Sequence, residues 1–117
     1  MGRFVRGDVV VVPYPLKSGE SKRRPALVLA EVEYGRGTDY LVCIMTSQND
    51  PNDGAAIEVS HADAVEGQYM KDDDVGTCYI RPHYIWTCVE ATIIRRIDRL
   101  SDEKMGDVLV SVRAKFA

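Results

Sequence analysis

The sequence predicts a mainly β protein, either a small barrel or a sandwich, followed by one C-terminal helix. Short runs rich in β-branched and apolar residues, such as VVVVPY and LVCIM, are separated by turn-forming residues at close intervals, which is typical of small all-β folds. Near the C-terminus the apolar residues change to a helical spacing. Because 117 residues are the usual length of one domain, we expect a single domain over residues 1–117.

The strands are predicted from dense β-branched composition and from the turn residues that bound it. Proline and glycine mark most of these boundaries, because neither is favoured inside a paired strand. Polar segments over residues 17–22, 34–38 and 46–54 are predicted to be loops, and residues 60–74 show no clear pattern. The predicted strands cover residues 8–14, 25–33, 39–45, 55–59, 76–81 and 84–88, the last two joined at Pro82.

The helix is predicted to begin after Ser101, a good N-cap residue. Asp102 and Glu103 place negative charge in its first turn, where the helix dipole favours it. Leu100 and Met105 flank the cap at the spacing of a hydrophobic staple. One helical face carries the apolar residues that we expect to pack on the barrel or, alternatively, on a partner chain: Met105, Val108, Leu109, Val112 and Phe116.

Charge is unevenly distributed along the chain. The net charge is −3, but residues 1–30 carry +4, residues 31–90 carry −9 and residues 91–117 carry +2. This pattern favours local binding of an anionic ligand over a generally basic surface. With no apolar stretch near the length of a membrane span and no signal-peptide pattern, we expect a cytoplasmic protein.

Signatures of metal or nucleophilic catalysis are absent from the sequence. Cys43, Cys78 and Cys88 lie among apolar neighbours without a CxxC pair, so we expect free buried thiols. His61 and His83 share no motif and are predicted to lie at the surface or to be hydrogen bonded. Residues 72–74, three consecutive aspartates, lack the other ligands of an oxygen cage. We therefore expect no metal and no cofactor.

Two strand ends offer polar side chains next to apolar runs. Arg24 precedes Pro25 and an apolar strand, and Thr46 follows the apolar run LVCIM. If the two strands are neighbours, a guanidinium and a hydroxyl meet at one edge of the sheet. Such a pair suits an oxyanion such as phosphate, because arginine supplies fixed bidentate donors and stays charged. From spacing alone, a structural role for both residues is an open alternative.

Four stretches resemble successive motifs of the MazF/PemK family of toxin–antitoxin endoribonucleases. They are RGDVVVVPYPL, SKRRPALVLA, LVCIMTSQ and the tail CYIRPHYIWTCVEATIIRRIDRLSDEKM. The resemblance covers nearly the whole chain in order, and only residues 52–75 are hard to match. It implies a small SH3-like barrel with a C-terminal helix.

The resemblance also implies function and partners. It implies a homodimer that cuts single-stranded RNA at short sequences without a metal and that a cognate antitoxin blocks, with DNA bound only indirectly through the antitoxin complex. The family's essential residues match Arg24 and Thr46, which are the predicted catalytic residues. The predicted substrate-binding residues are Lys17, Ser18, Lys22, Arg23, Ser47, Gln48, Arg81 and His83.

Cleavage without a metal uses the neighbouring 2′-OH of RNA as the nucleophile. Arg24 and Thr46 are then expected to stabilise the charge that develops on the phosphate oxygens, and His83 is a candidate for proton transfer. Tyr14, Tyr84 and Trp86 are candidates for stacking on bases, although most rings in a small barrel belong to the core. Two alternatives are a non-catalytic toxin that binds gyrase, as CcdB-type toxins do, and an inactive relative.

Overall fold

Among the residues that the computed structural model describes, six strands form one antiparallel sheet, and one α-helix follows it. The described residues are 2–15, 18–35, 37–47, 51–52, 54–66 and 78–115. The strand order is β4-β5-β3-β2-β1-β6. The elements are β1 (Asp8–Pro15), β2 (Ser21–Tyr34), β3 (Gly37–Thr46), β4 (Ile57–Val59), β5 (Cys78–Val89), β6 (Arg95–Arg99) and α1 (Asp102–Lys115).

The sheet curls because its two edges are tied together. The segment after β4 reaches the end of β6, where the Val65 amide donates to the Arg99 carbonyl at 2.7 Å and the Ser101 amide donates to the Asp63 carbonyl at 2.8 Å. Ala64 and Leu100 form an isolated antiparallel bridge between the same segments. The predicted mainly β barrel with a C-terminal helix is therefore confirmed.

Strand β6 was not predicted from the sequence. Its sequence, RRIDR, has three arginines and one aspartate, and Asp98 is fully buried. The carboxylate is stabilised because it accepts hydrogen bonds from the Glu66 amide at 3.1 Å and the Arg99 amide at 2.7 Å. These partners come from the tertiary fold, so a local pattern could not reveal them.

The prediction of two strands joined at Pro82 was wrong, because β5 is one strand with a large bulge. Cys43 pairs with Ile85 and Met45 pairs with Ile80. Four residues of β5, residues 81–84, therefore stand opposite Ile44 alone. Such an insertion bends a strand and redirects its side chains.

The loop predicted over residues 17–22 ends earlier than expected, because β2 begins at Ser21. Strand β1 pairs with β2 out to Pro15 and Ser21, whereas its pairing with β6 ends at Val11. Pro13 and Pro15 are tolerated because, among the described strands, this part of β1 pairs with β2 alone. Residues 12–15 and 21–24 thus form a two-stranded ribbon that extends beyond β6.

Apolar side chains on the two faces of the sheet form two cores. The helix-side core lies under α1, and the Tyr40 core lies under the N-terminal segment. The helix-side core consists of Val9, Leu27, Leu29, Cys43, Met45, Val59, Cys78, Ile80, Leu100, Met105 and Val108. The Tyr40 core consists of Phe4, Val10, Val12, Ala26, Val28, Tyr40, Val42, Cys88 and Ile93, with Trp86 packed against it.

The helix agrees with the sequence prediction. The Lys104 amide donates to the Ser101 hydroxyl oxygen at 3.2 Å, which is the predicted N-cap. Met105 and Val108 are buried in the helix-side core, with Leu109 and Val112 packed against it. The face packs on the barrel rather than on a partner chain; Phe116 lies outside the described residues.

Tyr40 links three parts of the fold. Its hydroxyl donates to Glu90 Oε2 at 2.7 Å and accepts from the Phe4 amide at 3.2 Å, and its ring packs edge-on against Phe4 at 5.6 Å between centroids. Burial, which contributes most, and the neighbouring Glu90 raise the pKa of Tyr40. The hydroxyl therefore stays protonated at neutral pH and can donate to the carboxylate.

Tyr40→Phe is expected to lower the free energy of unfolding by about 1–3 kcal/mol, because the Phe4 amide and the Glu90 carboxylate each lose a partner. Urea unfolding of wild type and variant measures the change. Tyr84→Phe is the control, since the Tyr84 side chain is 44% exposed. A Tyr40→Phe midpoint equal to that of wild type would contradict the assigned role.

Candidate functional site

Arg24 and Thr46 lie at the same end of the β2–β3 pairing. The last paired residues there are Ala26 and Ile44, and each candidate lies two residues beyond them. Both strands stay paired on their other sides, Arg24 with Val12 of β1 and Thr46 with Tyr79 of β5. The sheet therefore opens between β2 and β3, with Arg24 on one side of the opening and Thr46 on the other.

Both side chains project from the same face of the sheet. Side chains alternate along a strand, so Arg24 shares a face with Ala26, and Thr46 shares a face with Val42. Ala26 and Val42 both belong to the Tyr40 core. The sequence expectation that an arginine and a threonine meet at one edge is consistent with this topology.

The Arg24 side chain is half-buried. Its backbone pairs with β1 on one side, and the buried residues 26–29 come shortly after it in β2. Within the described part of the chain, its buried Nε has no hydrogen-bond partner. A buried donor left unpaired costs about 1–3 kcal/mol, and a catalytic role is one of the reasons for which proteins keep such a group. Arg24 is thus a rigidly mounted cation with an unused donor.

The other predicted residues near Arg24 divide between the two faces of the ribbon. Lys22 pairs with Tyr14, on the face of Arg24, whereas Arg23 pairs with Pro13 on the opposite face. Both are exposed and lie in β2, whereas Lys22 was predicted to lie in the loop over residues 17–22. Ser18 is exposed in the turn between the ribbon strands, and Lys17 lies outside the described residues.

The bulge of β5 supplies the remaining candidates. The Arg81 guanidinium carbon lies 4.3 Å from the centroid of the Tyr84 ring, and the His83 ring centroid lies 4.4 Å from that of Tyr84. Tyr84 is thus in contact with a cation and with an imidazole, although 44% of its surface is exposed. The bulge is adjacent to the opening, because it stands opposite Ile44.

The ribbon leans over the face of the sheet toward this bulge. The Tyr14 and Trp86 rings pack at 67° with 5.5 Å between their centroids. Strands β1 and β5 are separated by β2 and β3 in the sheet. The contact therefore requires the end of the ribbon to fold across the Tyr40-core face, and it brings Tyr14, Lys22 and Arg24 to the side where the bulge lies.

Ser47 is exposed directly after β3, while Gln48 and residues 72–74 lie outside the described residues. The three cysteines are free and buried, as predicted. Burial raises the pKa of the Cys43 thiol to about 12 and also raises that of Cys88, so neither is a ready nucleophile. In the described ranges, no group of three or more His, Cys, Asp or Glu side chains is arranged to hold a metal ion.

The sequence matches the model of the PemK-like, MazF-like toxins of type II toxin–antitoxin systems over residues 5–116. The chain belongs to this family. No curated protein sequence matches the chain. The predicted MazF/PemK family is therefore confirmed and is favoured over the CcdB-type alternative.

Solved structures of similar fold span nearly the whole chain. A MazE–MazF crystal structure from Deinococcus radiodurans has a TM-score of 0.71 at 14% identity and covers 97% of this chain and 95% of its own. An endoribonuclease from a mycobacterial species has a TM-score of 0.69 at 12% identity, and the match covers 99% of this chain and 93% of that endoribonuclease chain. A mycobacterial endoribonuclease in complex with its cognate antitoxin has a TM-score of 0.65 at 13% identity, and the match covers 97% of this chain and 94% of that chain.

Over the described ranges, the toxin contains no helix with the length and apolar character that a bilayer crossing requires.

Proposed function

We propose that this toxin cleaves single-stranded RNA through attack of a ribose 2′-OH on the adjacent phosphodiester. The products are a 2′,3′-cyclic phosphate on one fragment and a 5′-OH on the other. The observation that carries the proposal is the opening between β2 and β3, where Arg24 and Thr46 lie on one face of the sheet and the buried Arg24 Nε has no partner in the described chain.

Arg24 and Thr46 would act on the phosphate oxygens. During the attack, negative charge grows on the two non-bridging oxygens, and donors that are already in place stabilise it without reorganisation. A guanidinium is suited to this role because it offers two parallel N–H donors to an oxyanion. It is not suited to proton transfer, since arginine stays protonated in proteins. The proposed role of Arg24 is therefore electrostatic.

The surrounding side chains would hold the RNA strand. Lys22 lies on the same ribbon face as Arg24, and Arg81 and His83 lie on the β5 bulge. Lys22 and Arg81 would supply positive charge and His83 a ring that can hydrogen bond, a set that suits the backbone of a short single-stranded segment and would let a chain of net charge −3 bind RNA. Five further residues stay predicted contacts to the RNA: Lys17, Ser18, Arg23, Ser47 and Gln48. Of these, Arg23 lies on the opposite face of the ribbon from Arg24.

We also propose that the toxin acts as a homodimer in the cytoplasm and is blocked by a cognate antitoxin. Support comes from family membership and from the similar folds of MazF in its MazE complex and of the endoribonuclease with its antitoxin.

The nucleophile is tested with two RNAs of one mixed sequence, one all-ribose and one fully 2′-O-methylated, each incubated with the purified toxin in EDTA. We expect cleavage of the all-ribose strand only, since methylation removes the nucleophile. The fragments should carry cyclic phosphate and 5′-OH ends, read by mass spectrometry. Cleavage of the methylated strand, or cleavage only after Mg²⁺ is restored, would contradict the proposed chemistry.

A further inference from the structure

Tyr79 is the immediate cross-strand neighbour of Thr46. It pairs with Thr46 of β3 on one side and with Glu58 of β4 on the other. Directly paired side chains share a face of the sheet, with about 4.5–5.5 Å between their Cβ atoms. Cys78 and Ile80, the neighbours of Tyr79 in β5, belong to the helix-side core, so Tyr79 points to the opposite face. The Thr46 side of the opening therefore carries a phenol as well as an aliphatic hydroxyl.

Charge restricts where an RNA phosphate can lie relative to Tyr79. Arg24 lies across the opening from Thr46, and Glu58 is exposed on the far side of Tyr79. A phosphate is attracted to the guanidinium and repelled by the carboxylate, so it belongs between Arg24 and Thr46. Tyr79, which is partly buried, then borders the bound phosphate from the β5 side.

Cleavage by the 2′-OH includes a proton transfer that Arg24 and Thr46 do not provide. As the O2′–P bond forms, the P–O5′ bond breaks and its electron pair stays on O5′, which needs a proton to leave as a 5′-OH. Arginine keeps its proton in proteins, and an aliphatic hydroxyl is no stronger an acid than the leaving alcohol. A phenol is protonated at neutral pH and is far more acidic than an alcohol. Tyr79 thus has the chemistry that this step requires.

His83, the sequence candidate for proton transfer, is placed differently. A pocket of about 380 Å³ between the ribbon and the β5 bulge is lined by Tyr14, His83, Tyr84, Ile85 and Trp86. Ile85 and Trp86 pair with Cys43 and Val42, which come before Thr46 in β3. The imidazole therefore lines the side of the bulge away from Thr46, whereas Tyr79 lies at the other end of the bulge, opposite Thr46.

We propose that Tyr79 is the general acid of the cleavage and that its hydroxyl donates a proton to the leaving O5′ atom. The proposal rests on the proposed function, because it assigns one step of the same reaction. The 2′-OH proton passes to water as the O2′–P bond forms, and the P–O5′ bond breaks as the phenol proton moves to O5′. The products are the cyclic phosphate and a 5′-OH, and the phenolate regains a proton from the solvent.

Tyr79→Phe removes the acidic proton and keeps the ring. We expect kcat for an all-ribose RNA to fall by roughly 10²-fold, within the usual contribution of a general acid, while affinity for the 2′-O-methylated RNA is unchanged. The decisive probe is the same RNA with sulfur in place of O5′ at the bond that wild type cleaves. A thiolate is a much weaker base than an alkoxide and leaves without protonation, so Tyr79→Phe should cleave this RNA as fast as wild type does.

Tyr40→Phe is the matched control, because it removes a phenol hydroxyl from β3 at a distance from the opening. A smaller folded fraction lowers cleavage of both RNAs equally, so the ratio of the two rates should stay that of wild type. Wild-type kcat in Tyr79→Phe on the all-ribose RNA would overturn the proposal, as would an equal loss on both RNAs. Restoration by sulfur in His83→Gln but not in Tyr79→Phe would assign the proton to the imidazole instead.

Failure of the proposed function gives a different result. A wild-type toxin that cleaves neither RNA in EDTA would overturn the nuclease proposal, and the role of Tyr79 with it. A wild-type toxin that cleaves the all-ribose RNA, and whose Tyr79→Phe variant cleaves it equally fast, would retain the nuclease and lose Tyr79 as its acid.

Discussion

Arg24→Ala is expected to lower kcat/KM for RNA cleavage by roughly 10²–10³-fold, the effect of removing one preorganised donor from a developing oxyanion. Arg24 supplies both charge and paired N–H donors, and its buried Nε has no competing acceptor among the described residues. Because β1 pairs with the backbone at this position, the alanine variant should keep the ribbon intact. Cleavage of a fluorescent mixed-sequence RNA measures the loss.

Two further variants give this test its specificity. Arg24→Lys keeps the positive charge but loses the planar pair of donors, so we expect only partial activity. Arg113→Ala removes an exposed arginine from the last turn of α1 and should cleave as wild type does. Near-wild-type cleavage by Arg24→Ala, with the urea midpoint unchanged, would exclude Arg24 from the catalytic site.

Thr46→Val is expected to lower kcat by about 10²-fold while KM changes little. Valine keeps the β-branched shape that suits a strand and removes the hydroxyl donor. A donor that acts mainly when charge develops in the transition state affects kcat more than substrate binding. Single-turnover cleavage, together with binding of the 2′-O-methylated RNA, separates the two quantities.

Thr46→Ser serves as the matched rescue, because it restores the hydroxyl without the methyl group. We expect most of the activity to return. Thr46 also interacts with another group of the fold, so its substitution can change stability as well as catalysis. Urea unfolding of each variant therefore accompanies the kinetic measurements. A loss of affinity in Thr46→Val with kcat unchanged would show that the hydroxyl serves binding alone.

Local chemistry explains which parts of the fold could be predicted. The helix was predictable because its cap, first-turn charges and apolar spacing are all written within a short stretch, and the structure shows the Ser101 cap directly. The central strands were predictable because their apolar runs exceed what a surface loop can carry. The bulge in β5 and the start of β2 were not, since pairing with a neighbouring strand decides both.

Strand β6 shows most clearly what the local sequence does not predict. A buried aspartate among three arginines is not a pattern that predicts a strand, since aspartate is depleted in strands and is rarely buried. Asp98 is nevertheless stable there because the Glu66 amide, more than thirty positions away, donates to its carboxylate. Only the closed fold brings that amide to the strand.

The candidate site, like the fold, has features that the local sequence predicts and features that depend on the tertiary structure. The sequence by itself determined the residue types of the phosphate site, because Arg24 and Thr46 each adjoin an apolar strand and match a family motif. The tertiary structure alone decided their shared face, the opening between β2 and β3, and the ring-lined pocket beside them. The physical reason is that strand composition is a local property, whereas strand register, curl and bulges depend on residues that meet only after folding.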